Sequence, residues 1–347
     1  MPSLPRKSNV ELARILAMFL ITAHHCVYHS RALSFVEGFN RDVSLFWLFG
    51  GKAGVDVFVL LSAYFLYGKT NTVRQFVRVW CTTFFYFVSI LLLSLFVLRV
   101  PMTRGEIIRD LLPVLGGRNW FVSTFCIWLL LVPVLNAIVR NASPALVHAI
   151  TAILFLLECV LPTLHETHCY ANLAFFVFLF FLMAEYRRGT LDILKRKSFC
   201  RVALVSSVAV VFAIGKFAGS LAPAMDQFSP FNLMFACSLV ALCLNARTWY
   251  SRPVNMLAKA TYGIFLLHTG NPIRGNWLWP QVFRCDRFFA SPWYWAWIPA
   301  SVCAIFAAGF LAECFRVHFL ETPLQKSPFY QRLVKRGENA YDRFLGQ

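Results

Sequence analysis

The chain has 347 residues, of which 59% are hydrophobic and only 14% are charged, and its mean hydropathy is +0.61. A soluble domain carries about 25% charged residues, so the composition excludes an ordinary soluble protein and indicates a polytopic membrane protein. The formal net charge of +17 does not predict nucleic-acid binding, because no soluble segment gathers the basic residues into one surface.

Ten apolar segments are candidate spans, because a helix needs about 20 apolar residues to cross a bilayer. They lie at roughly 10–28, 52–68, 79–98, 119–139, 145–162, 171–186, 202–221, 230–246, 254–270 and 293–315. The first segment contains Glu11 and Arg14 and lacks a small-residue cleavage site, which favours a retained helix over a signal peptide. We therefore predict an all-α, multi-pass protein of the cytoplasmic (plasma) membrane with about ten transmembrane helices.

The distribution of basic residues predicts the orientation. When the N-terminus is placed in the cytoplasm and the spans alternate, most of the 33 Lys and Arg residues fall on the cytoplasmic side. Both termini are therefore predicted to be cytoplasmic. The outer loops near 29–51, 99–118 and 271–292 are still basic, and they are either simply solvated or face an anionic partner.

Two regions are predicted: a single transmembrane domain at 1–325 and a basic amphipathic cytoplasmic tail at 326–347. In the tail, aromatic and aliphatic residues recur at roughly helical spacing among Lys and Arg residues. This pattern favours a helix on the inner leaflet, with membrane lipids as its partner.

The first helix carries a polar stripe. From Arg14 to His25 is eleven residues, which leaves a net rotation of about 20° and an axial separation of about 16 Å, and Glu11 neighbours the same face. Histidine suits general-base catalysis at neutral pH, and the guanidinium of arginine binds phosphate or carboxylate. The alternatives are an interfacial Glu11–Arg14 pair and a His25 that reaches the outer surface. His24 points about 100° away.

Six segments, in order, resemble the membrane acyltransferase 3 family of O-acyltransferases. The Arg14-x10-His25 spacing is similar to that family's signature. The other five segments are "GKAGVDVFVLLSAYFLYGK", "VRQFVRVW", "NWFVSTFCIWLLLVPVLN", "YGIFLLHTGNPIR" and "ETPLQK". The second departs from the family pattern at Val57-Phe58, where two phenylalanines are common, and at Ala63, which replaces a glycine.

The resemblance implies a ten-helix enzyme that takes an acyl group from cytoplasmic acyl-CoA. The group, most often acetyl, would go to a hydroxyl of a cell-envelope glycan, an exopolysaccharide or a lipid-linked saccharide. His25 would be the transfer centre, Arg14 its partner or a donor contact, and Arg74 and Arg78 would bind the CoA phosphates. No metal is expected, and the polysaccharide-synthesis machinery is a candidate partner.

Four further residues have both a functional and a structural interpretation. Asp56 could orient His25, a role that Glu11 could also fill, it could accept a hydrogen bond from a sugar, or it could pair with Lys52. Ser62, Trp120 and His268 are candidate substrate contacts; the alternatives are helix packing, interfacial anchoring and an outer-end histidine, respectively.

A metal site and two other functions are also considered. His165, Glu166, His168 and Cys169 fit no strong metal-site template, and a solvated loop is the simpler interpretation. Ten helices with buried charges also permit a transporter of a polysaccharide precursor or a small anion. The Arg14–His25 face and the lack of paired inverted repeats argue against a transporter. An inactive scaffold related to the family is the third hypothesis, because Ala63 departs from the motif.

Overall fold

The computed structural model describes residues 7–165, 172–218, 225–271 and 273–346, which form helices and connecting turns without any strand. The all-α prediction is confirmed, and a helix covers each of the ten predicted spans. The helices are α1 Ser8–His29, α2 Gly38–Leu66, α3 Val73–Leu92, α4 Arg104–Leu111, α5 Trp120–Asn141, α6 Pro144–Phe155, α7 Leu161–His165, α8 Asn172–Arg188, α9 Lys197–Phe217, α10 Pro230–Leu244, α11 Arg252–Thr269, α12 Tyr294–Arg316, α13 Thr322–Lys326 and α14 Pro328–Phe344.

Seven helical stretches are long and apolar enough to cross a membrane. They are α1, α2, α5 and α9, together with α3, α6 and α12 extended through π-helical turns to Val97, Leu164 and Lys326. The other three predicted spans correspond to α8, α10 and α11. Helix α8 is surrounded by protein, with Phe175, Phe176, Phe178 and Phe180 buried, whereas Leu16, Phe96 and Val205 on longer helices are exposed as lipid-facing side chains would be.

The bundle has two ends, named here by what they contain. At the tail end, the start of α1 meets the start of α11 where Ser8 Oγ donates to Asn255 Oδ1 at 2.9 Å. At the histidine end, α1 finishes beside the loop after α11, and Asn119 Nδ2 donates to Thr269 Oγ1 at 3.3 Å. The tail end corresponds to the predicted cytoplasmic side.

The start of α2 differs from the prediction. The expected span began near 52, but α2 begins at Gly38 and has 29 residues, or about 43 Å of helix, which exceeds a hydrocarbon core of about 30 Å. The polar residues before 52 were mistaken for a loop, yet they are satisfied within the helix. Asp42 forms an ion pair with Lys216 at 2.7 Å. Asn40 Nδ2 donates to the carbonyl oxygens of Phe289 and Ser291 at 3.0 and 2.9 Å.

Close packing of α1 on α2 fixes the direction of the histidines. A side chain at Gly51 would collide with His24, and one at Gly54 would stand 2.7 Å from the carbonyl oxygen of Ala17. Small residues let the two backbones approach, as is common between membrane helices. His24 Nδ1 is then held 2.8 Å from the carbonyl of Leu48.

The C-terminal segment forms α14, which packs on α3. Ser327 caps its first turn by accepting from the Tyr330 amide, and Pro328 occupies the first helical position, where its missing N–H costs nothing. Tyr330 and Val334 are buried against the bundle, whereas Phe329 and Leu333 are exposed. The predicted tail helix is therefore present, and its contact with the inner leaflet stays a prediction, as does the division at 325.

Candidate active site

Two histidines from distant parts of the chain meet at the histidine end. His25 Nδ1, on α1, lies 2.9 Å from His268 Nε2, on α11. His268 is 1% exposed, and its own Nδ1 lies 2.7 Å from the carbonyl oxygen of Ile264, one turn earlier on its helix. The pair is therefore fixed by the backbone of α11.

The hydrogen bonds assign the protons on both rings. A carbonyl oxygen can only accept, so Nδ1 of His268 carries a proton, and Nε2 of the neutral ring accepts. His25 Nδ1 must then donate to it, which leaves the lone pair on His25 Nε2 free. A second group that holds Nδ1–H and leaves Nε2 unprotonated is the arrangement of a general base with its orienting partner.

His25 lines a cavity of about 420 Å³ that opens at the histidine end. Its polar lining comprises His24, His25, Tyr28, His29, Lys52, Arg118, Asn119, Gln227, Tyr262, Thr269 and Arg274. Met18 and Phe58 line its deeper part. A polar mouth above an apolar floor suits a ligand that has a polar part at the level of His25 and an apolar part below it.

Aromatic rings form the inner wall. Phe121 packs edge-on to Phe58 and Phe265, with ring centroids 6.1 and 5.4 Å apart, and Phe265 lies 6.4 Å from the ring of His25. Trp120 stands at the rim, 43% exposed. Such rings give this side of the cavity a flat, apolar wall beside the histidine.

The fold positions Trp120 through a helix cap. Asn119 Oδ1 accepts from the amide of Val122 at 3.3 Å, so α5 begins at Trp120. The Nδ2 group of the same Asn119 holds Thr269 of α11. One side chain thus ties the wall that carries Trp120 to the helix that carries His268.

Arg14 and Glu11 form an ion pair near the tail end. Arg14 Nη1 lies 3.1 and 3.0 Å from the two carboxylate oxygens of Glu11, and its guanidinium stacks 5.2 Å from the ring of Phe65. Glu11 is 5% exposed. Met18, one turn above Arg14, marks the floor of the cavity, so Arg14 lies below the cavity rather than in it.

Arg74 and Arg78 line a different cleft, of about 730 Å³, between α3 and α14. Arg74 Nε lies 3.3 Å from Glu338 of α14, and Arg78 Nε lies 2.8 Å from Glu321, which follows α12. Both arginines are thus held by carboxylates of the C-terminal segment. Arg14 is not among the residues that line this cleft.

Behind Arg78, a chain of charged groups leads into the bundle. Glu321 also pairs with the buried Arg316, whose guanidinium holds both oxygens of Glu313 at 2.7 and 2.9 Å. Tyr86 donates to Glu313 at 2.9 Å. This network explains why α12, an apolar helix, tolerates the buried charges of Glu313 and Arg316, since each is paired and hydrogen-bonded.

Asp56 and Ser62 lie away from His25. Asp56 is fully buried, does not line the cavity and has no hydrogen-bond partner for either carboxylate oxygen among the described residues. Lys52, its expected partner, pairs with Asp226 at 3.2 Å instead. Ser62 Oγ donates to the carbonyl of Phe58 on its own helix at 2.8 Å. The structure thus brings neither residue to the histidine pair.

Sequence reasoning did not single out Lys52, Arg118, Tyr262 or Arg274 as site residues. Arg118 precedes Trp120 by two residues and Arg274 follows His268 by six, so both directly flank predicted motifs. Their proximity to motif residues was the available signal. Both lie in the basic outer loops for which solvation and an anionic partner were the two interpretations.

No group of three or more His, Cys, Asp and Glu that could hold a metal occurs among the residues with a described position. The candidate cluster of Glu166, His168 and Cys169 lies outside the described residues, as does the side chain of His165.

Comparison with known proteins places the chain in a family. The acyltransferase 3 model, described as an acyltransferase domain, matches residues 7–314 and thus spans α1 to the last turn of α12. No curated protein and no solved structure matches the chain. The match begins before the Arg14–His25 helix and includes both histidines of the pair. The chain is a multi-pass membrane protein that belongs to the acyltransferase 3 family.

Proposed function

We propose that the protein transfers an acyl group, most simply acetyl, from acyl-CoA to a hydroxyl of a cell-envelope glycan or exopolysaccharide, with His25 as the general base. The observation that carries the proposal is the His25–His268 pair, in which Nδ1 of His25 is held by His268 while His25 lines a cavity. Family membership supports acyl transfer in general. The identities of donor and acceptor belong to the proposal.

The step at His25 is a base-assisted attack on a thioester. The acceptor hydroxyl gives its proton to His25 Nε2, and its oxygen forms a bond to the thioester carbonyl carbon. The carbon–sulfur bond of acyl-CoA then breaks, and the departing thiolate takes the proton back from the imidazolium. A hydroxyl is a weak nucleophile without such a base, and general-base assistance contributes about 10²–10⁴-fold in rate.

His268 acts through His25. By accepting from His25 Nδ1 it keeps the proton on that nitrogen, and it stabilises the imidazolium that forms during the step. Because Nδ1 of His268 donates to the carbonyl oxygen of Ile264, the imidazole ring of His268 is held in one orientation. We therefore describe His268 as a positioning residue and not as a substrate contact.

The donor is proposed to enter from the tail end. The cleft there presents Arg74, Arg78 and Lys335, the groups proposed to bind the phosphates of CoA, beside the carboxylates of Glu338 and Asp342. Arg14 lies between that end and the cavity, about 16 Å below His25 along α1. The thioester would pass Arg14 and reach the cavity at its apolar floor near Met18 and Phe58.

The acceptor is proposed to bind from the histidine end of the cavity, where Trp120 offers a face for a sugar ring. In the predicted orientation, the histidine end lies on the outer side of the plasma membrane. A glycan or lipid-linked saccharide delivered by the polysaccharide-synthesis machinery would then meet the base directly.

The test is acyl transfer by the purified protein. The protein is reconstituted in proteoliposomes with radiolabelled acetyl-CoA and a panel of lipid-linked and free oligosaccharides, and ester formation is measured. Labelled, alkali-labile ester in the presence of wild type, and none with His25→Ala, is the expected result. If wild type neither binds labelled acetyl-CoA nor labels any saccharide, the proposal is wrong.

A further inference from the structure

The mouth of the cavity carries more positive than negative charge. Three cations line it, Lys52, Arg118 and Arg274, and no Asp or Glu does so among the described residues. A cavity lined by one sign raises the local concentration of a ligand with the opposite sign.

Two of the three cations have counter-ions just outside the cavity. Lys52 Nζ lies 3.2 Å from Asp226, in a neighbouring cavity of about 1020 Å³ that opens at the same end. Arg118 Nε lies 2.6 Å from Asp110 of α4, and its Nη2 lies 3.4 Å from the second oxygen. Their charges are therefore largely neutralised within the protein.

Arg274 is different. It begins the π-helical turn Arg274–Val282 that follows α11, and it is half-buried. Neither a hydrogen bond nor an ion pair of its side chain occurs within the described part of the chain. Burial, with the positive charge of Arg118, lowers the pKa of Arg274 from its usual value. The group nevertheless keeps its charge, since arginine is not deprotonated in proteins.

Arg274 lies close to the reaction centre. It is near enough to His25 and His29 to act on both electrostatically, and it lines the same cavity. A half-buried guanidinium without a counter-ion costs free energy, and a bound anion removes that cost. The planar guanidinium is the group that best binds a carboxylate or phosphate in a bidentate manner.

We infer that the acceptor carries an anionic group, a carboxylate or a phosphate, which Arg274 binds while the neighbouring hydroxyl faces His25. This inference rests on the proposed function and narrows it from glycans in general to acidic ones, such as a uronic-acid polymer or a phosphorylated saccharide. Among the described residues, one cation of the mouth has no counter-ion, which matches one anionic group near the modified hydroxyl.

The experiment compares two acceptors of equal length, an oligosaccharide of glucose and one that contains glucuronate. Equilibrium binding of each, tritium-labelled, is measured on wild type, Arg274→Gln and Arg274→Lys. Acyl transfer is measured in vesicles of zwitterionic phosphatidylcholine, so that lipid headgroups supply no net negative charge. Arg287→Gln is the matched control, because Arg287 is exposed at the same end and lines neither cavity.

Wild type is expected to bind the glucuronate acceptor at least tenfold more tightly than the glucose acceptor, and Arg287→Gln to keep that ratio. Arg274→Gln should reduce the ratio to less than about threefold, and Arg274→Lys should retain part of it, because the charge remains without the planar fork.

Equal binding of both acceptors by wild type, or an equal loss on both with Arg274→Gln, would overturn the inference. Binding is read separately from transfer, so the two proposals can fail independently. Preferential binding of the acidic acceptor without any acyl transfer would support the anionic site and contradict the proposed enzyme. Transfer to the glucose acceptor as efficient as transfer to the glucuronate acceptor would support the proposed enzyme and contradict the anionic site.

Discussion

Replacing His268 with alanine tests the role of the histidine pair. The change removes the acceptor of His25 Nδ1, which then has a proton without a partner in a buried site. The lost hydrogen bond would have stabilised the imidazolium that forms at His25 in the transition state, and a hydrogen bond to a charged group is worth about 1.5–3 kcal/mol. At about 1.4 kcal/mol per factor of ten, kcat for acyl transfer should fall about 10- to 150-fold. His25→Ala, which removes the base itself, should cost about 10²–10⁴-fold.

The assay is steady-state acyl transfer in proteoliposomes for His25→Ala, His268→Ala and the double variant. Because His268 acts only through His25, the double variant should be no slower than His25→Ala alone. KM for acyl-CoA should stay near the wild-type value, since the arginine cleft lies at the opposite end of the bundle. His268→Gln, whose side-chain oxygen can accept from His25, should recover part of the rate.

The control is His148→Ala, a substitution of an exposed histidine on α6 that should keep wild-type kinetics. The reasoning is refuted if the losses of the two single variants add in the double variant, because His268 would then contribute independently of His25. It is also refuted if His268→Ala raises KM for acyl-CoA and leaves kcat unchanged.

Two more substitutions probe the donor cleft and the α1–α2 contact. Glu338→Gln should lower KM for acyl-CoA, by at most about fivefold, because an exposed ion pair such as the one that holds Arg74 is worth about 0.2–1 kcal/mol; donor titration measures it, and a raised KM would contradict it. Gly54→Ala should destabilise the protein by about 1–3 kcal/mol, since its new Cβ would stand 2.7 Å from the carbonyl oxygen of Ala17. Thermal unfolding in detergent checks the second expectation against Gly275→Ala, where no atom lies within 4 Å of an added Cβ. Equal melting temperatures for the two glycine variants would show that α1 and α2 are not tightly packed there.

The sequence predicted those features that depend on local periodicity. Apolar runs located a helix in each of the ten predicted segments, because a helix buried in a bilayer or in the bundle carries its hydrophobic signal in one continuous segment. The Glu11–Arg14 contact followed from the three-residue spacing on α1. The start of α2 was misplaced because Asp42 and Asn40 read as loop residues, and only the tertiary partners Lys216 and Ser291 make them acceptable in a helix.

The histidine pair could not be derived from local pattern. His25 and His268 are 243 residues apart, and no periodicity of α1 or α11 states that the two helices face each other at that level. The motifs identified His25 and His268 as individual candidates but did not predict that the two side chains meet. The contact depends on how α1, α2 and α11 pack, which is decided by the whole bundle.

Asp56 shows how helical phase decides a role. Gly51, Lys52, Val55 and Phe58 line the cavity, so the face of α2 that meets it is centred near Val55. Asp56 is about 100° beyond Val55, at the edge of that face. The long side chain of Lys52, about 60° from Val55 on the same side, reaches the cavity, whereas the shorter carboxylate of Asp56 does not. The expectation that it orients His25 relied on sequence proximity to the motif and not on this phase.

The most direct measurement of the central claim is the O-acyl ester content of the surface polysaccharide, by NMR, in cells that express wild type or His25→Ala at matched protein levels. Loss of the esters in the variant, with an unchanged amount of polymer, is the result predicted for a base at the transfer centre. Esters at the wild-type level in His25→Ala cells would contradict the mechanism.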